Sequence, residues 1–262
     1  MTRRLENGGV GAASAMSLSD THGVPWSGRS LSPSPFAGDE GTADPQLVRA
    51  LAAVGVAEMA ERARAEATAV EILSASRLVV PLLAMPESGS GANVGAMATA
   101  LLMAPDGTKA LPLFTGVDAL ASWDPRARPV PMTAAQAAEA ALSEEGCHTA
   151  VVDVADSHGM VLRMSQLWSL ALGEAWVPAD QDPVVCRAAA NAAESVHGVH
   201  AVMVVEGWGE LPGALRLEVE ILPGIVESQV AAALVAIGER LSADPDVRRR
   251  IDDLSVKVIR LG

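Results

Sequence analysis

Apolar and polar positions change their period along this chain at definable places. Residues 1–44 carry no apolar period at all and are rich in Gly, Ser and Pro, with Ser30, Ser32 and Ser34 interleaved by Pro33 and Pro35. Such a segment buries too little apolar surface to offset its ordering entropy, which predicts a disordered tail in which Trp26 and Phe36 stand alone. From Asp44 the pattern becomes helical. Asp44 can cap a helix that has Pro45 at its first position, Leu47, Ala50 and Leu51 form the apolar stripe, and a second helix follows over Glu58–Ser76. Arg77–Leu83 reads as a buried strand and Ala96–Met103 as another. Asp106-Gly107 then signals a hairpin into Leu111–Phe114.

The period keeps switching. Thr115 stands three residues before Asp118, a capping-box-like spacing ahead of a short helix through Ala119-Leu120-Ala121. Arg128–Met132 is an edge segment broken by Pro129 and Pro131, and Thr133 caps an Ala-rich helix over 134–145. A strand at Thr149–Ala155, a turn at Asp156–Gly159 and a strand at Met160–Met164 make a hairpin, and a helix over Ser165–Gly173 closes on its glycine. Glu174–Gln181 reads as a linker.

Beyond the linker, Pro183–Ser195 is helical and Val199–Val205 is a strand. Leu215, Leu217, Val219 and Ile221 alternate with Arg216, Glu218 and Glu220, the period-two pattern of a half-buried antiparallel strand. Val226, Val230, Leu234, Ile237 and Leu241 recur at helical spacing, a short helix starts at Asp244, and Leu254–Arg260 is a closing strand. The pattern predicts an α+β protein: a tail over 1–44, one domain over 45–178, and an α-β-β-α-α-β domain over 181–262. Each domain packs helices on a largely antiparallel sheet.

Composition narrows the function classes. Half of the 262 residues are hydrophobic, 19% are charged, and the formal net charge is −13. Acidity spread over the whole chain opposes nucleic-acid binding and docking on anionic membranes, since phosphates are gripped by clustered Lys and Arg. The longest apolar runs, Leu78–Pro86 and Ala96–Pro105, are too short to span a bilayer. Two cysteines, Cys147 and Cys186, make neither a disulfide framework nor a four-ligand zinc site. The expectation is a cytoplasmic protein without disulfide, metal or cofactor.

Five clusters and one lone ring invite a chemical reading. Gly89–Gly95 is glycine-rich after a strand, but its last glycine falls one place late for a dinucleotide fingerprint and Glu87 beside it repels phosphate. Asp153–His158 groups Asp153, Asp156 and His158 at a strand end, where divalent-cation ligation competes with ordinary turn chemistry. Cys147 and His148 are adjacent in sequence, which is poor geometry for a catalytic dyad, and His197 and His200 have no acid or nucleophile at a telling distance. Arg248-Arg249-Arg250, set among four aspartates, reads as a solvated helix face. Trp208, between Gly207 and Gly209 in a loop joining two strands, either folds back on the sheet edge or is the candidate anchor for a protein partner.

Leu111-Pro112-Leu113-Phe114-Thr115-Gly116 followed by Ala119-Leu120-Ala121-Ser122-Trp123 resembles the SseB family, named for enhanced serine sensitivity. The resemblance extends through Leu73–Pro81, Arg128–Pro131, Val161-Leu162-Arg163, Leu167–Gly173 and Trp176-Val177-Pro178. It implies an SseB N-terminal domain in which Phe114, Thr115, Trp123, Arg163, Trp168 and Trp176 serve the fold, and it implies no catalytic residue. The expected function is regulatory or adaptor work through an unidentified protein partner. The alternative is a small-molecule or nucleotide-binding module, or an enzyme, using Gly89–Gly95 or Asp153–His158.

Overall fold

Local signals start and stop the helices much as the sequence requires. In the computed structural model, Asp44 Oδ1 accepts from Gln46 N at 2.7 Å and starts α1 (Pro45–Val56). α2 (Met59–Ser74) follows after a break of two residues. The structure describes residues 35–84, 97–207 and 213–262. The chain divides into two units, Met1–Asp39 and Glu40–Gly262. In the first, the described residues form a turn closed by Asp39 N on Phe36 O. Within the second unit lies the end of the expected tail, where Val117 N donates to Gly41 O at 2.9 Å and an Arg77 guanidinium N–H donates to Thr42 O at 2.8 Å. Residues 41–42 are therefore tied to the fold, a correction to a tail reaching 44. Trp26, most of the tail, Gly89–Gly95 and Trp208 lie outside the described residues.

The N-terminal half builds two sheets. β1 (Arg77–Ala84) pairs antiparallel with β2 (Met97–Thr99), and after β3 (Leu102–Met103) and β4 (Lys109–Leu113) the chain forms α3 (Val117–Trp123) and β5 (Arg128–Thr133), which flanks β1 on its other side. Thr133 then caps α4 (Ala134–Ser143) through a capping box with Gln136. β6 (Cys147–Val152) and β7 (Met160–Leu162) complete a second sheet of order β3-β4-β6-β7, in which β4 and β6 run parallel. α5 (Met164–Leu172) ends at Gly173 in the left-handed conformation, as expected. The single strand anticipated at Ala96–Met103 is instead two, because β2 hydrogen-bonds to β1 while β3 turns to pair with β4.

One core unites α1, α2, α4 and α5 with the inner face of the four-stranded sheet, from Leu47 and Leu73 to Leu113 and Leu162. A smaller cluster lies where the two sheets meet. Val79 and Phe114 exchange N–H···O bonds of 2.8 and 2.9 Å, and Val79, Phe114 and Leu120 pack together with Trp123. The Phe114 and Trp123 rings stand 5.4 Å apart at 36°.

The C-terminal half keeps the expected element order: α6 (Pro183–Ala193), β8 (Val199–Glu206), β9 (Ala214–Ile221), α7 (Glu227–Ala243), α8 (Pro245–Arg248) and β10 (Asp253–Arg260). Its sheet order is β10-β9-β8, with β9 antiparallel to β8 and parallel to β10. Leu215, Leu217, Val219 and Ile221 face Val185, Val230, Ile237 and Leu241 in a core of its own. The mixture of helices with antiparallel and mixed open sheets is an α+β fold.

Because Trp123 closes the small cluster on fully buried Phe114, Trp123→Ala removes a ring pair and leaves a void. The expected loss is about 2 kcal/mol, a fall of roughly 4–8 °C in Tm. Thermal unfolding followed by circular dichroism checks it, and an unchanged Tm contradicts it.

Candidate functional site

Two polar clusters are built by long-range contact. The first stands at the carboxyl ends of the parallel strands β4 and β6, where ligand crevices of open α/β sheets commonly form. Asp153 follows β6 in a left-handed backbone conformation, φ 51°, unusual for a residue with a side chain. Its Oδ1 accepts from Thr115 N at 2.9 Å and its Oδ2 from Thr115 Oγ1 at 2.8 Å, while its own N–H donates to Leu113 O. Both residues are buried. Burial raises the Asp153 carboxyl above its ordinary value, opposed by the Thr115 hydrogen bonds. The Thr115 hydroxyl is thus committed to Asp153 and does not cap α3, whose N-cap is Gly116 without a side-chain bond. That corrects the capping-box expectation.

Beyond Asp153 the chain makes a tight turn. Asp156 Oδ1 accepts from His158 N at 3.1 Å and meets His158 Nδ1 at 2.5 Å. The His158 backbone bond leads the interactions that hold the exposed Asp156 carboxyl below its usual range. Asp153, Asp156 and His158 thus cooperate as a turn. Among the described residues no group of three or more His, Cys, Asp and Glu is arranged to hold a metal ion.

The second cluster joins the two halves of the unit. Asp252, just before β10, accepts from Ser165 N at 2.7 Å, from Ser165 Oγ at 2.8 Å and from Arg163 Nε at 2.9 Å. Its carboxylate therefore caps α5 from 87 residues away. Arg163 Nη2 reaches Glu66 Oε2 of α2 at 2.7 Å, and fully buried Gln166 donates to the same oxygen at 3.1 Å. The guanidinium lies 5.7 Å from the Trp176 ring centroid, and Trp176 Nε1 donates to Ser165 Oγ at 2.9 Å. Gly213, φ 80°, opens β9 against Arg163, where a Cβ would collide with the guanidinium. Burial works against the Arg163 charge. Hydrogen bonds and charges from Glu66 and Asp252 outweigh it and hold the group more firmly protonated than usual.

Arg249 and Arg250 extend this seam. Arg250 Nη1 binds Asp182 Oδ2 at 2.9 Å, while Asp182 Oδ1 caps α6 through Val184 N. Both arginines reach Glu174 and Asp246. The expectation of a solvated basic face therefore fails for Arg249 and Arg250, whose charges are spent on Glu174 of the expected linker, on Asp182 just past it and on Asp246 of their own segment. The space left between Trp168, Trp176, Asp182 and Arg250 is about 20 Å³, room for about one water and no metabolite.

Of the residues singled out from sequence, the structure brings Arg163 and Trp176 together, pairs Phe114 with Trp123, and sets Trp168 on the wall of that small cavity. Cys147 is buried and His148 beside it exposed, so they share no site. Glu66, Ser165, Gln166 and Asp252 escaped sequence reasoning. The only available hint was a Glu within the apolar face of α2. Among the described residues no helix is long and apolar enough to cross a membrane.

Residues 47–169 match the family described as SseB protein N-terminal domain, so this stretch of the chain is an SseB N-terminal domain. The match takes in Phe114, Thr115, Trp123, Arg163 and Trp168. No curated protein and no solved structure matches the chain.

Two measurements test the clusters. Asp252→Ala leaves Arg163 facing Glu66 without its second acid and α5 without its cap, and should cost about 3–5 kcal/mol in urea unfolding. With Arg163→Met added, the double variant should lose less than the sum of the two single losses. The Asp153 carboxyl, raised in the folded state, contributes stability that is complete below its ordinary value of 3.8 and is lost as pH rises through the raised value. Asp153→Asn should therefore gain on the native protein as pH rises from 3.8 upward. A difference that stays flat with pH contradicts this.

Proposed function

We propose that this SseB-domain protein is non-catalytic and works through protein–protein contacts, as a regulator or adaptor. The observation that carries the reading is a group of exposed apolar side chains at one end of the N-terminal half. Val56, at the end of α1, is 84% exposed, Met59 opens α2, Val154 lies in the turn after β6, and Val161 on the edge strand β7 is 52% exposed. α1 packs on β7, and Gly55 lies against the Ser157 carbonyl, so these side chains share one end of the fold. Apolar side chains gathered around a strand edge are suited to a partner that covers them. The charged groups of Arg163, Glu66 and Asp252 support the same reading, since they are engaged with one another.

A second reading has one specific observation behind it. Asp153 combines a left-handed backbone and a buried carboxyl raised by that burial, at the carboxyl ends of two parallel strands, which suits a small polar ligand.

Cross-linked capture with the full chain separates the two. A partner held by the native protein and lost with Val56→Asp and Val161→Asp supports the contact reading, and equal capture by the variants removes this surface. A ligand from a metabolite panel that raises Tm by several degrees, with the rise abolished in Asp153→Asn, establishes the second reading and overturns the first.

A further inference from the structure

The sheet of the C-terminal half has two edges of different character. β8 carries a register irregularity between Val199 and Ala201, a device that blunts an edge, and it packs on α6. β10 has no such irregularity. It runs beside β9 in unbroken register over all eight of its residues, and among the described residues no strand pairs with its outer side.

The apolar side chains of this edge are poorly covered. Leu254 and Val256 pair with Leu215 and Leu217 and share their helix-facing side, yet they are 36% and 46% exposed while their partners are buried. α7 lies toward this side. Its Glu227 meets Arg260 of β10, whereas Arg240 on the opposite flank donates to Ala192 O and Glu194 O at the end of α6. Among the described residues nothing closes this apolar strand edge.

We propose that a second copy of this chain closes it, the two β10 strands pairing antiparallel about a two-fold axis through Ser255. Directly opposed residues of an antiparallel pair share a face, so the axis of a symmetric pair must fall on a residue. Centred on Ser255, Leu254 meets Val256 of the second copy on the helix side. Asp253 meets Lys257 of the second copy on the other. Centred on Lys257, two lysines would face each other, and centred on Val256, Asp253 would face Ile259. The Ser255 register alone among these joins apolar to apolar and acid to base.

The backbone agrees with this register. Leu254 N donates to the carboxylate of its own neighbour, Asp253 Oδ1, at 2.7 Å, as an edge donor turned away from β9 does. In the pair, the carbonyl of Val256 in the second copy takes that N–H. The Asp253 carboxylate is then released toward Lys257 of the second copy, which in the single chain holds Glu218 at 3.1 Å. Six strands then form one continuous sheet.

Light scattering on the eluting full chain at tens of micromolar tests the pairing. The native protein should elute as a dimer. Asp253→Lys and Lys257→Asp, each alone, place like charges opposite and should weaken the dimer about tenfold or more. Mixed in equal amounts, the two variants face each other with opposite charges and should dimerise again, a recovery that misfolded variants cannot give. Ser255→Cys should cross-link under mild oxidation, since opposed residues of such a pair stand within disulfide reach. A native monomer, a mixture that stays monomeric, or a Ser255→Cys protein that does not cross-link overturns the proposal. A dimer that survives both charge variants overturns it as well.

Discussion

The Asp252 carboxylate is the constraint on which this architecture turns. It caps a helix of the SseB domain, neutralises an arginine inserted between the two halves, and stands just before the edge strand of the C-terminal sheet. Glu66 holds the other side of the same guanidinium from α2. Three segments distant in sequence thus meet at one charge. Without either acid, Arg163 would be a buried cation short of a charge partner, a costly arrangement. Specific pairing of this kind adds orientation that the two separate apolar cores, one in each half, do not supply.

Thr115 and Asp153 play a comparable part on a smaller scale. Thr115 follows β4 and Asp153 follows β6, and their double hydrogen bond fixes how the ends of the parallel strands leave the sheet. Phe114, one residue earlier, anchors the junction with β1 and the ring of Trp123. The conspicuous Leu-Pro-Leu-Phe-Thr-Gly run is in this sense a junction: successive residues serve the core, the bridge between sheets and the buried carboxylate. A chemical role for the Asp153 turn would have to be compatible with that structural duty.

What the sequence disclosed was mostly local. Asp44 with Pro45, Thr133, Asp106-Gly107 and Gly173 each act within four residues, and each stands where its pattern placed it. The alternation from Leu215 to Ile221 marked a strand buried on one face because burial there follows side-chain parity alone. The failures share an opposite cause. Thr115 looked like a helix cap because its true partner lies 38 residues on, and Arg249 and Arg250 looked solvated because Glu174 and Asp182 come from another segment. The strand expected from Ala96 to Met103 divides because its two ends join different sheets, a fact of topology that hydropathy does not encode. Asp252 and Glu66 went unnoticed for the same reason: a lone acid in sequence says nothing about the charge waiting for it.

The distance that Asp252 spans also sets an order in time. A ribosome releases α5 and its Ser165 amide long before residue 252 emerges, so the nascent SseB domain carries an uncapped helix start and an arginine short of one acid. The contacts that complete it come from Asp252, just before the last strand of the C-terminal sheet. The α5 cap and the second acid on Arg163 thus depend on residue 252, so the N-terminal half draws part of its own finish from the C-terminal half.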